Sequence, residues 1–346
     1  MQLATDELIH ISNLKVTFKL DEGTVTALDG IDLSIKKGKV VGVVGESGCG
    51  KSITARSIIR IIPPPGKIDQ GEILMRTKIG SSDGEEHAID LAKVDPDSDL
   101  MRQIRWGEIS MIFQEPMTSF SSYHTLGDQI SEAALVHRSL SKQKAHQLAI
   151  EMLDHVGIPN ASTRMTQYPH EFSGGMRQRA MIAMALICNP SMLIADEPTT
   201  SLDVTIQAQM LELMRNLRKD FGSSVLFITH NLGVIAQIAD EVFIMYMGKI
   251  VESGSVGEIF HNPKHPYTMN LLQAIPKITG AAKERLVAIE GSIPSPFERI
   301  SGCPFHPRCS RIIRGTCEIQ IPLMTDFGRD HKAVCHLYPQ SEASIQ

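Results

Sequence analysis

The feature that most constrains this chain is a glycine-rich loop at residues 45–52 with the pattern G-x-x-x-x-G-K-S. It follows a β-branched run at residues 39–44, which is typical of a buried strand, and it precedes a helix-like segment at residues 53–59. In that order, the loop N–H groups and the helix N-terminus can surround an anion. The alternative is a turn that only joins strand to helix, but Lys and Ser stand at the offsets that favour phosphate binding. The residues expected to contact the nucleotide are Gly45, Ser47, Gly48, Cys49, Gly50, Lys51 at the β/γ-phosphates and Ser52, which also binds Mg²⁺.

Composition excludes several other classes of protein. A length of 346 residues predicts about two domains, and 42% hydrophobic residues predict a folded, soluble chain. No apolar run approaches the ~18 residues that span a bilayer, and the N-terminus lacks a signal-peptide pattern. We therefore expect a protein that is neither secreted nor itself a channel. The net charge of −5, with signs interspersed, gives no basic stripe, so nucleic acid is not an expected partner.

The segments around the loop predict further strands. Residues 8–18 and 25–35 alternate apolar and polar positions, which indicates two antiparallel strands before the loop. Phe18 either stacks on an adenine or belongs to the core. Residues 71–99 are polar and acidic and predict a surface excursion, with a hairpin tip at residues 81–86.

A strand and a helical region follow the excursion. The predicted strand at residues 109–113 ends in Gln114, whose amide could hold a Mg²⁺ ligand or a water and sense the γ-phosphate; taken alone, it would be a capping residue. A helical insertion is expected at about residues 120–190. Within it, Ser141 is predicted to cap a helix whose apolar stripe runs from Ala145 to Val156.

Residues 172–179 indicate a second anion-binding helix start. Ser173, Gly174 and Gly175 open a helix that runs toward Cys188, so a hydroxyl and bare backbone N–H groups are available there. One chain thus carries two helix ends suited to phosphate.

Acidic and imidazole side chains follow two more predicted strands. The strand at residues 192–196 ends in Asp196 and Glu197. Asp196 is placed to bind Mg²⁺ through water and Glu197 to orient and deprotonate an attacking water, unless the strand simply meets solvent at an acidic turn. His230 follows the strand at residues 225–229 and either contacts the γ-phosphate or is structural. The candidate catalytic residues are Glu197, His230 and Gln114, and the Mg²⁺ ligands are Ser52, Gln114 and Asp196.

The order of these motifs resembles the ATP-binding-cassette (ABC) ATPases. Six elements occur in the same order as in that family: the phosphate loop, Gln114, the helix start at residues 173–175, the acidic pair, residues 201–203 and His230. The resemblance implies an α/β fold with a P-loop core, an antiparallel β subdomain and a helical subdomain. It also implies a head-to-tail dimer, in which Ser173, Gly174, Gly175 and Asp203 contribute to ATP binding. The cassette would span residues 1–260 and a small C-terminal domain residues 261–346.

Further motifs are similar to the dipeptide and oligopeptide branch of importers, which also includes nickel importers. They occupy residues 114–119, 172–179, 265–268 and 302–309. Residues 120–122 depart from that branch, since Phe-Ser-Ser stands where Leu-Asn-Pro is usual, and so does Ser201, where Ala is commoner.

This resemblance implies a peripheral ATPase on the cytoplasmic face of the cell membrane. Its partners would be a second ATPase, either a copy or a related chain, two transmembrane permeases and, indirectly, an extracytoplasmic solute-binding protein. Peptides are the expected solute, with oligosaccharides or nickel as alternatives. Two competing functions are disfavoured: a soluble cassette ATPase acting on nucleic acid or ribosomes, and a regulatory subunit without turnover, against which Glu197 and His230 argue.

Four of the six cysteines fall in the last 44 residues. Their spacings of x5, x7 and x17 lack the C-x₂₋₄-C pairs of structural zinc sites, although four thiolates would satisfy tetrahedral zinc. Iron–sulfur clusters tolerate irregular spacing, and the resembled importers carry a [4Fe–4S] cluster here. The alternatives are a [4Fe–4S] cluster, zinc or free thiols, with a structural role for a bound metal. The candidate ligands are Cys303, Cys309, Cys317 and Cys335.

Overall fold

The computed structural model describes residues 3–81, 84–114, 120–199, 203–275, 289, 291–298 and 300–338. Two sheets and a set of helices organise these residues. The strands are β1 (Glu7–Leu20), β2 (Gly23–Lys36), β3 (Val40–Val44), β4 (Gly66–Thr77), β5 (His87–Asp90), β6 (Ile109–Ile112), β7 (Met192–Asp196), β8 (Ser224–Thr229), β9 (Glu241–Tyr246), β10 (Lys249–Ser255), β11 (Met324–Asp326) and β12 (Lys332–Val334).

Helices lie between these strands in the chain. They are α1 (Lys51–Ile58), α2 (Asp99–Gly107), α3 (Leu126–Arg138), α4 (Lys142–His155), α5 (Ala161–Arg164), α6 (Gly174–Leu186), α7 (Val204–Phe221), α8 (Leu232–Ile238), α9 (Val256–His261) and α10 (Pro266–Gln273). Short 3₁₀ turns occur at Pro169–Glu171 and His306–Arg308.

The central sheet places the ends of four strands side by side. Its order is β11-β12-β10-β9-β3-β8-β7-β6; strands β9, β3, β8, β7 and β6 run parallel to one another, whereas β10 is antiparallel to β9. Strand β3 is buried on both faces: Val40 and Val44 belong to one apolar core, whereas Val41 and Val43 belong to a second. Continuous burial explains why this strand is an uninterrupted apolar run. The residues that follow β3, β6, β7 and β8 therefore meet at one edge of the sheet, where open α/β sheets bind ligands.

The N-terminal strands form the second sheet, with the order β2-β1-β4-β5. Strands β1 and β2 pair antiparallel, which confirms the prediction made from their alternating sequences. Strand β4 pairs antiparallel with β5 through Leu74 and Asp90, so the polar excursion is a hairpin. Residues 82–83 at its expected tip lie outside the described residues. This sheet packs over the second core, on the face of β3 formed by Val41 and Val43.

Helices α3 to α6 lie in sequence between β6 and β7, where a helical insertion is predicted. Ser141 caps α4 as expected, since its side-chain oxygen accepts a hydrogen bond from the N–H of Lys144. Ala145, Ala149 and Leu153 line the buried face of that helix. The periodic stripe thus gave the correct helix and the correct face.

The C-terminal segment is joined to the cassette by strand pairing and by aromatic packing. Strand β12 pairs with β10 through Ala333 and Glu252, which extends the central sheet across the boundary expected near residue 260. Phe305 is 1% exposed, and its ring centroid lies 5.2 Å from that of Tyr246 and 5.3 Å from that of Tyr267. The segment therefore buries its own anchor in the core shared with β9 and α10.

None of the helices in the described part of the chain is both long and apolar enough to cross a membrane.

Candidate active site

The phosphate loop leaves β3 and enters α1 at the ligand-binding edge of the central sheet. Gly45 is required by close packing, because a Cβ atom there would lie 2.2 Å from the carbonyl oxygen of Met245. Gly48 has a φ of +80°, a value that glycine tolerates, and it faces open space, with no atom within 4 Å of an added Cβ. The first half of the loop is therefore fixed against β9, and its middle is open toward solvent.

Lys51 is the first residue of α1, and its side chain folds back onto the loop. Its Nζ atom donates to the carbonyl oxygens of Gly45 at 2.9 Å and Glu46 at 3.0 Å, and it lies 3.9 Å from Oε1 of Glu197. The lysine side chain is only 5% exposed. A buried ammonium beside a carboxylate and two carbonyls is a fixed positive charge at the mouth of the loop.

Ser52 and Asp196 meet across the sheet edge, as the sequence predicts. The Ser52 hydroxyl donates to Oδ1 of Asp196 at 3.0 Å. Burial raises the pKa of the Asp196 carboxyl, the Ser52 hydrogen bond opposes this effect, and the neighbouring Glu197 adds to it. Hydroxyl and carboxylate oxygens are the donors that Mg²⁺ prefers, and a buried carboxylate pair calls for a cation. These residues fit the expected metal.

Glu197 is the point at which the remaining catalytic candidates converge. The Gln114 amide nitrogen donates to Oε2 of Glu197 at 3.3 Å, and Nδ1 of His230 lies 3.3 Å from the same oxygen. The Glu197 side chain is 9% exposed, whereas the His230 side chain is 53% exposed. The Glu197 backbone has a φ of +48° and is held by an N–H···O bond of 2.9 Å to Ile228. A carboxylate, an amide, an imidazole and an ammonium thus surround one small space.

The second expected anion-binding helix end lies apart from this space. Ser173 caps α6 through a hydrogen bond from Met176 N–H, and Asp203 caps α7 through the N–H groups of Thr205 and Ile206. The two helix starts are neighbours, since a Cβ atom on Gly175 would lie 3.6 Å from Ile206. Ser173, Gly174 and Asp203 are exposed. Among the described residues, no hydrogen bond or ion pair joins these groups to the phosphate loop.

Phe18 and Cys49 are partly or fully buried, and two segments of the predicted motifs cannot be placed. Phe18 is half-buried on β1 and packs against the second core; a Cβ atom on Gly66 would lie 2.5 Å from its ring. Cys49 is buried in the loop, and burial raises its pKa, which disfavours the reactive thiolate. Residues 115–119 and 200–202, which carry parts of two motifs used above, lie outside the described residues.

The four C-terminal cysteines lie near one another in the described part of the chain. The pKa of the Cys303 thiol is raised to about 11, mainly by burial and in addition by the nearby thiols of Cys317, Cys335 and Cys309. The Cys303 N–H donates to the Cys317 carbonyl oxygen at 2.8 Å. In the part of the chain that is described, no group of three or more Cys, His, Asp or Glu side chains is placed to hold a metal ion.

Comparison with known families agrees with this geometry. A family described as "ABC transporter" matches residues 28–200, which include the phosphate loop, Ser173 and Glu197. The chain belongs to the ABC transporter family. A second family, described as "Oligopeptide/dipeptide transporter, C-terminal region", matches residues 251–317 of this ABC ATPase. The chain is thus an ABC-type ATPase whose ATP hydrolysis is coupled to transport.

Individual relatives extend the similarity along nearly the whole chain. A putative peptide import ATP-binding protein of Brucella melitensis is 47% identical over 339 residues, which cover 96% of this chain and 98% of the relative. A dipeptide transport ATP-binding protein of Bacillus subtilis is 45% identical over 337 residues, with 97% and 96% covered. A dimeric ATP-binding cassette, solved in a post-hydrolysis state with ADP and Pi, aligns with a TM-score of 0.61 at 25% identity and covers 72% of this chain and 99% of its own. These similarities confirm the predicted family and the ABC ATPase fold.

Sequence reasoning missed one set of contacts in this ABC ATPase. Arg308 forms two hydrogen bonds to the carboxylate of Glu46 in the phosphate loop, at 2.7 and 3.0 Å. The hydroxyl of Tyr267 accepts a hydrogen bond of 3.0 Å from the Glu46 N–H. Both C-terminal residues lie in motifs that the sequence singles out, at residues 265–268 and 302–309. No local pattern, however, links a loop to a residue 262 positions away.

The buried Asp196 gives a prediction about stability and pH. Its folded pKa lies above the ordinary value of 3.8, so the folded state binds more protons than the unfolded chain and becomes less stable as pH rises through that interval. With EDTA present and no nucleotide, the free energy of unfolding of Asp196→Asn should exceed that of wild type by about 1 kcal/mol at pH 8. The variant should therefore unfold at a higher urea concentration. The difference should shrink as the pH is lowered toward 4, because the raised pKa makes the folded wild-type carboxyl take up a proton more readily than the unfolded one.

The control for this experiment is Asp220→Asn, since Asp220 is exposed on α7. It should leave the urea midpoint unchanged at both pH values. An Asp196→Asn variant that is less stable than wild type at pH 8 would contradict the assigned cost of burying this carboxylate.

Proposed function

We propose that this chain is the ATP-hydrolysing subunit of an ABC importer that takes up peptides. The observation that carries the proposal is the convergence of Gln114, His230 and Lys51 on the buried carboxylate of Glu197. The printed names of the relatives, which describe peptide and dipeptide import, support the choice of solute. The C-terminal match to the oligopeptide and dipeptide transporter family supports it independently.

In the proposed reaction, Glu197 is the general base. A water oxygen forms a bond to the γ-phosphorus, the bond to the β,γ-bridging oxygen breaks, and the water proton passes to a Glu197 carboxylate oxygen. Gln114 and His230, which both approach the same Glu197 oxygen, position the carboxylate and the water. Lys51 offsets the charge on the β- and γ-phosphates. Most of the chain's work is therefore orientation and charge compensation.

Binding of nucleotide and metal is assigned to the residues of the loop and of the sheet edge. Mg²⁺, when held by these residues, would supply positive charge that neutralises the phosphates. Its candidate ligands in this chain are Ser52, Gln114 and Asp196. The loop N–H groups bind the phosphates, and Phe18 is assigned to the adenine. The residues of the loop assigned to ATP are Gly45, Ser47, Gly48, Cys49, Gly50, Lys51 and Ser52.

The exposed helix starts at Ser173 and Asp203 support a composite site. In the proposed head-to-tail dimer, Ser173, Gly174, Gly175 and Asp203 of one subunit contact the ATP held by the other subunit's phosphate loop. The solved dimeric cassette that resembles this chain is consistent with that arrangement. ATP would close the dimer because the closed state provides the second set of contacts. The second ATPase is either a copy of this chain or a related chain.

The remaining partners follow from the importer class. We assign the chain to the cytoplasmic face of the cell membrane, bound to two transmembrane permeases and acting indirectly on an extracytoplasmic solute-binding protein. Nucleic acid is not a proposed partner. The proposed division is a cassette at residues 1–260, with a helical insertion at about residues 120–190, and a C-terminal domain at residues 261–346. Peptides are preferred over oligosaccharides and nickel on the names of the relatives.

For the C-terminal domain we propose a [4Fe–4S] cluster on Cys303, Cys309, Cys317 and Cys335. Four buried or half-buried thiols in one region support this assignment, since thiolates are the donors that such clusters and zinc both require. The cluster would staple a segment whose described strands are only three residues long. Zinc is the alternative metal.

The assignment of Glu197 is tested by Glu197→Gln. Glutamine keeps the shape of the side chain but cannot accept the proton, so phosphate release from Mg-ATP should fall by at least ~100-fold. Binding of ATP, measured by equilibrium titration, should change by less than about twofold, because the phosphate loop is intact. Glu212→Gln, which alters an exposed glutamate on α7, is the matched control and should hydrolyse ATP at the wild-type rate. Undiminished hydrolysis by Glu197→Gln would refute the assignment.

The same variant tests the transported solute in cells. Cells in which Glu197→Gln replaces the wild-type chain should lose uptake of labelled di- and oligopeptides and keep uptake of labelled oligosaccharides and nickel. Loss of oligosaccharide or nickel uptake with intact peptide uptake would overturn the peptide assignment and leave the ATPase assignment standing.

The cluster is tested by elemental analysis of protein purified without oxygen. We expect about four iron atoms and four acid-labile sulfides for each chain. Cys317→Ser should lower both together, whereas Cys188→Ser, outside the C-terminal segment, should not. Stoichiometric zinc without sulfide would replace the cluster by a zinc site.

A further inference from the structure

We infer that Arg308 and Tyr267, which lie outside the cassette motifs, are positioning residues that set the conformation of the phosphate loop and thereby the affinity for ATP. The inference rests on the ATP binding proposed above. It identifies the C-terminal region as the part of the chain that fixes the loop before nucleotide binds.

The first observation is that every polar group of Glu46 is engaged. Its carboxylate accepts two hydrogen bonds from the Arg308 guanidinium, at 2.7 and 3.0 Å. Its N–H donates to the hydroxyl of Tyr267 at 3.0 Å, and its carbonyl oxygen accepts from Lys51 Nζ at 3.0 Å and from the Cys49 N–H at 3.3 Å. The C-terminal region thus holds the side chain and the N–H of Glu46, whereas the cassette holds its carbonyl oxygen.

The second observation is that the ion pair lies in a protected place. The Arg308 side chain is 4% exposed and that of Glu46 is 22% exposed. A bidentate arginine–carboxylate pair fixes orientation as well as distance, and a lysine ammonium does not reproduce this geometry. Removal of one partner leaves a buried charge uncompensated, which strains the loop more than loss of a surface pair would.

The third observation connects the pair to the reacting groups. Lys51 Nζ is held by the carbonyl oxygens of Gly45 and Glu46, so its position depends on the backbone that Arg308 and Tyr267 fix. The same nitrogen lies 3.9 Å from the Glu197 carboxylate. A short path of direct contacts therefore runs from the C-terminal segment through Glu46 and Lys51 to the proposed base.

Arg308 is itself held rigidly. It ends the 3₁₀ turn His306–Arg308, and its N–H donates to the Phe305 carbonyl oxygen at 3.1 Å. The Phe305 ring is buried between Tyr246 and Tyr267. One aromatic cluster thus positions both groups that contact Glu46, the guanidinium and the phenol. The C-terminal segment acts as an outer support for the first half of the loop, while Gly48 stays open for phosphate.

The test is a double-mutant cycle on ATP affinity in the full-length chain. Binding of N-methylanthraniloyl-ATP with MgCl₂ is titrated for wild type, Glu46→Gln, Arg308→Gln and the double variant. Each single change should raise the dissociation constant by about tenfold. The double variant should bind no more weakly than the weaker single variant. Independent effects would instead multiply and raise the dissociation constant by about a hundredfold. Arg308→Lys should weaken binding by about threefold, because it keeps the charge and loses one bond.

Kinetics distinguish positioning from a purely structural role. In Arg308→Gln, KM for ATP should rise by about tenfold while kcat stays within about threefold, since the loop holds the phosphates in both the ground state and the transition state. The control is Arg314→Gln, an exposed arginine of the same segment, which should bind ATP as wild type does. An Arg308→Gln protein that melts at lower temperature but binds ATP with unchanged affinity overturns the inference. If that variant does not fold, an unchanged affinity in Arg308→Lys overturns it equally.

One further measurement separates this inference from the proposed function. Wild type should bind the ATP analogue, and Lys51→Ala should lose binding by at least about tenfold. Absence of binding by wild type would refute the proposed nucleotide site itself. Normal binding by wild type together with multiplicative effects in the cycle refutes only the role of Arg308.

Discussion

The buried ion pair between Lys51 and Glu197 is the contact on which the rest of this structure depends. An ammonium and a carboxylate, 5% and 9% exposed and 3.9 Å apart, are costly to bury unless other groups complete their surroundings. The loop carbonyls do this for the lysine, and Gln114 and His230 do it for the glutamate. The parallel sheet brings these groups together, because each follows a strand that ends at the same edge.

The two groups of residues assigned to the proposed site differ in how they are packed. One side is a dense set of contacts around Glu197, supported from outside by Arg308. The other side is an exposed pair of helix starts, at Ser173 and Asp203, which no described contact joins to the phosphate loop. A chain that displays anion-binding helix starts away from its own loop has groups to offer to a second loop. We therefore interpret the chain as half of each of two composite sites.

The sequence predicted the parts of this site that are set locally or by sheet topology. The loop between β3 and α1 follows from residue types at fixed offsets, and Asp196 and His230 follow from their places after buried strands. The Glu46–Arg308 pair was not predictable, because two charges 262 positions apart carry no periodic signal. Strand β12 was missed for a similar reason, since three residues are too few to show alternation and its pairing with β10 is set by tertiary contacts.

The central claim, that each phosphate loop works with the helix start of a partner, is tested most directly by mixing two inactive variants of this chain. Lys51→Ala removes the loop and Ser173→Arg blocks the helix start, so each alone should release little phosphate from Mg-ATP. A mixed dimer contains one site with both parts intact, and an equimolar mixture should recover roughly a quarter of wild-type turnover if the chains pair at random. Differently tagged variants that co-purify as mixed dimers yet recover no activity would contradict the account.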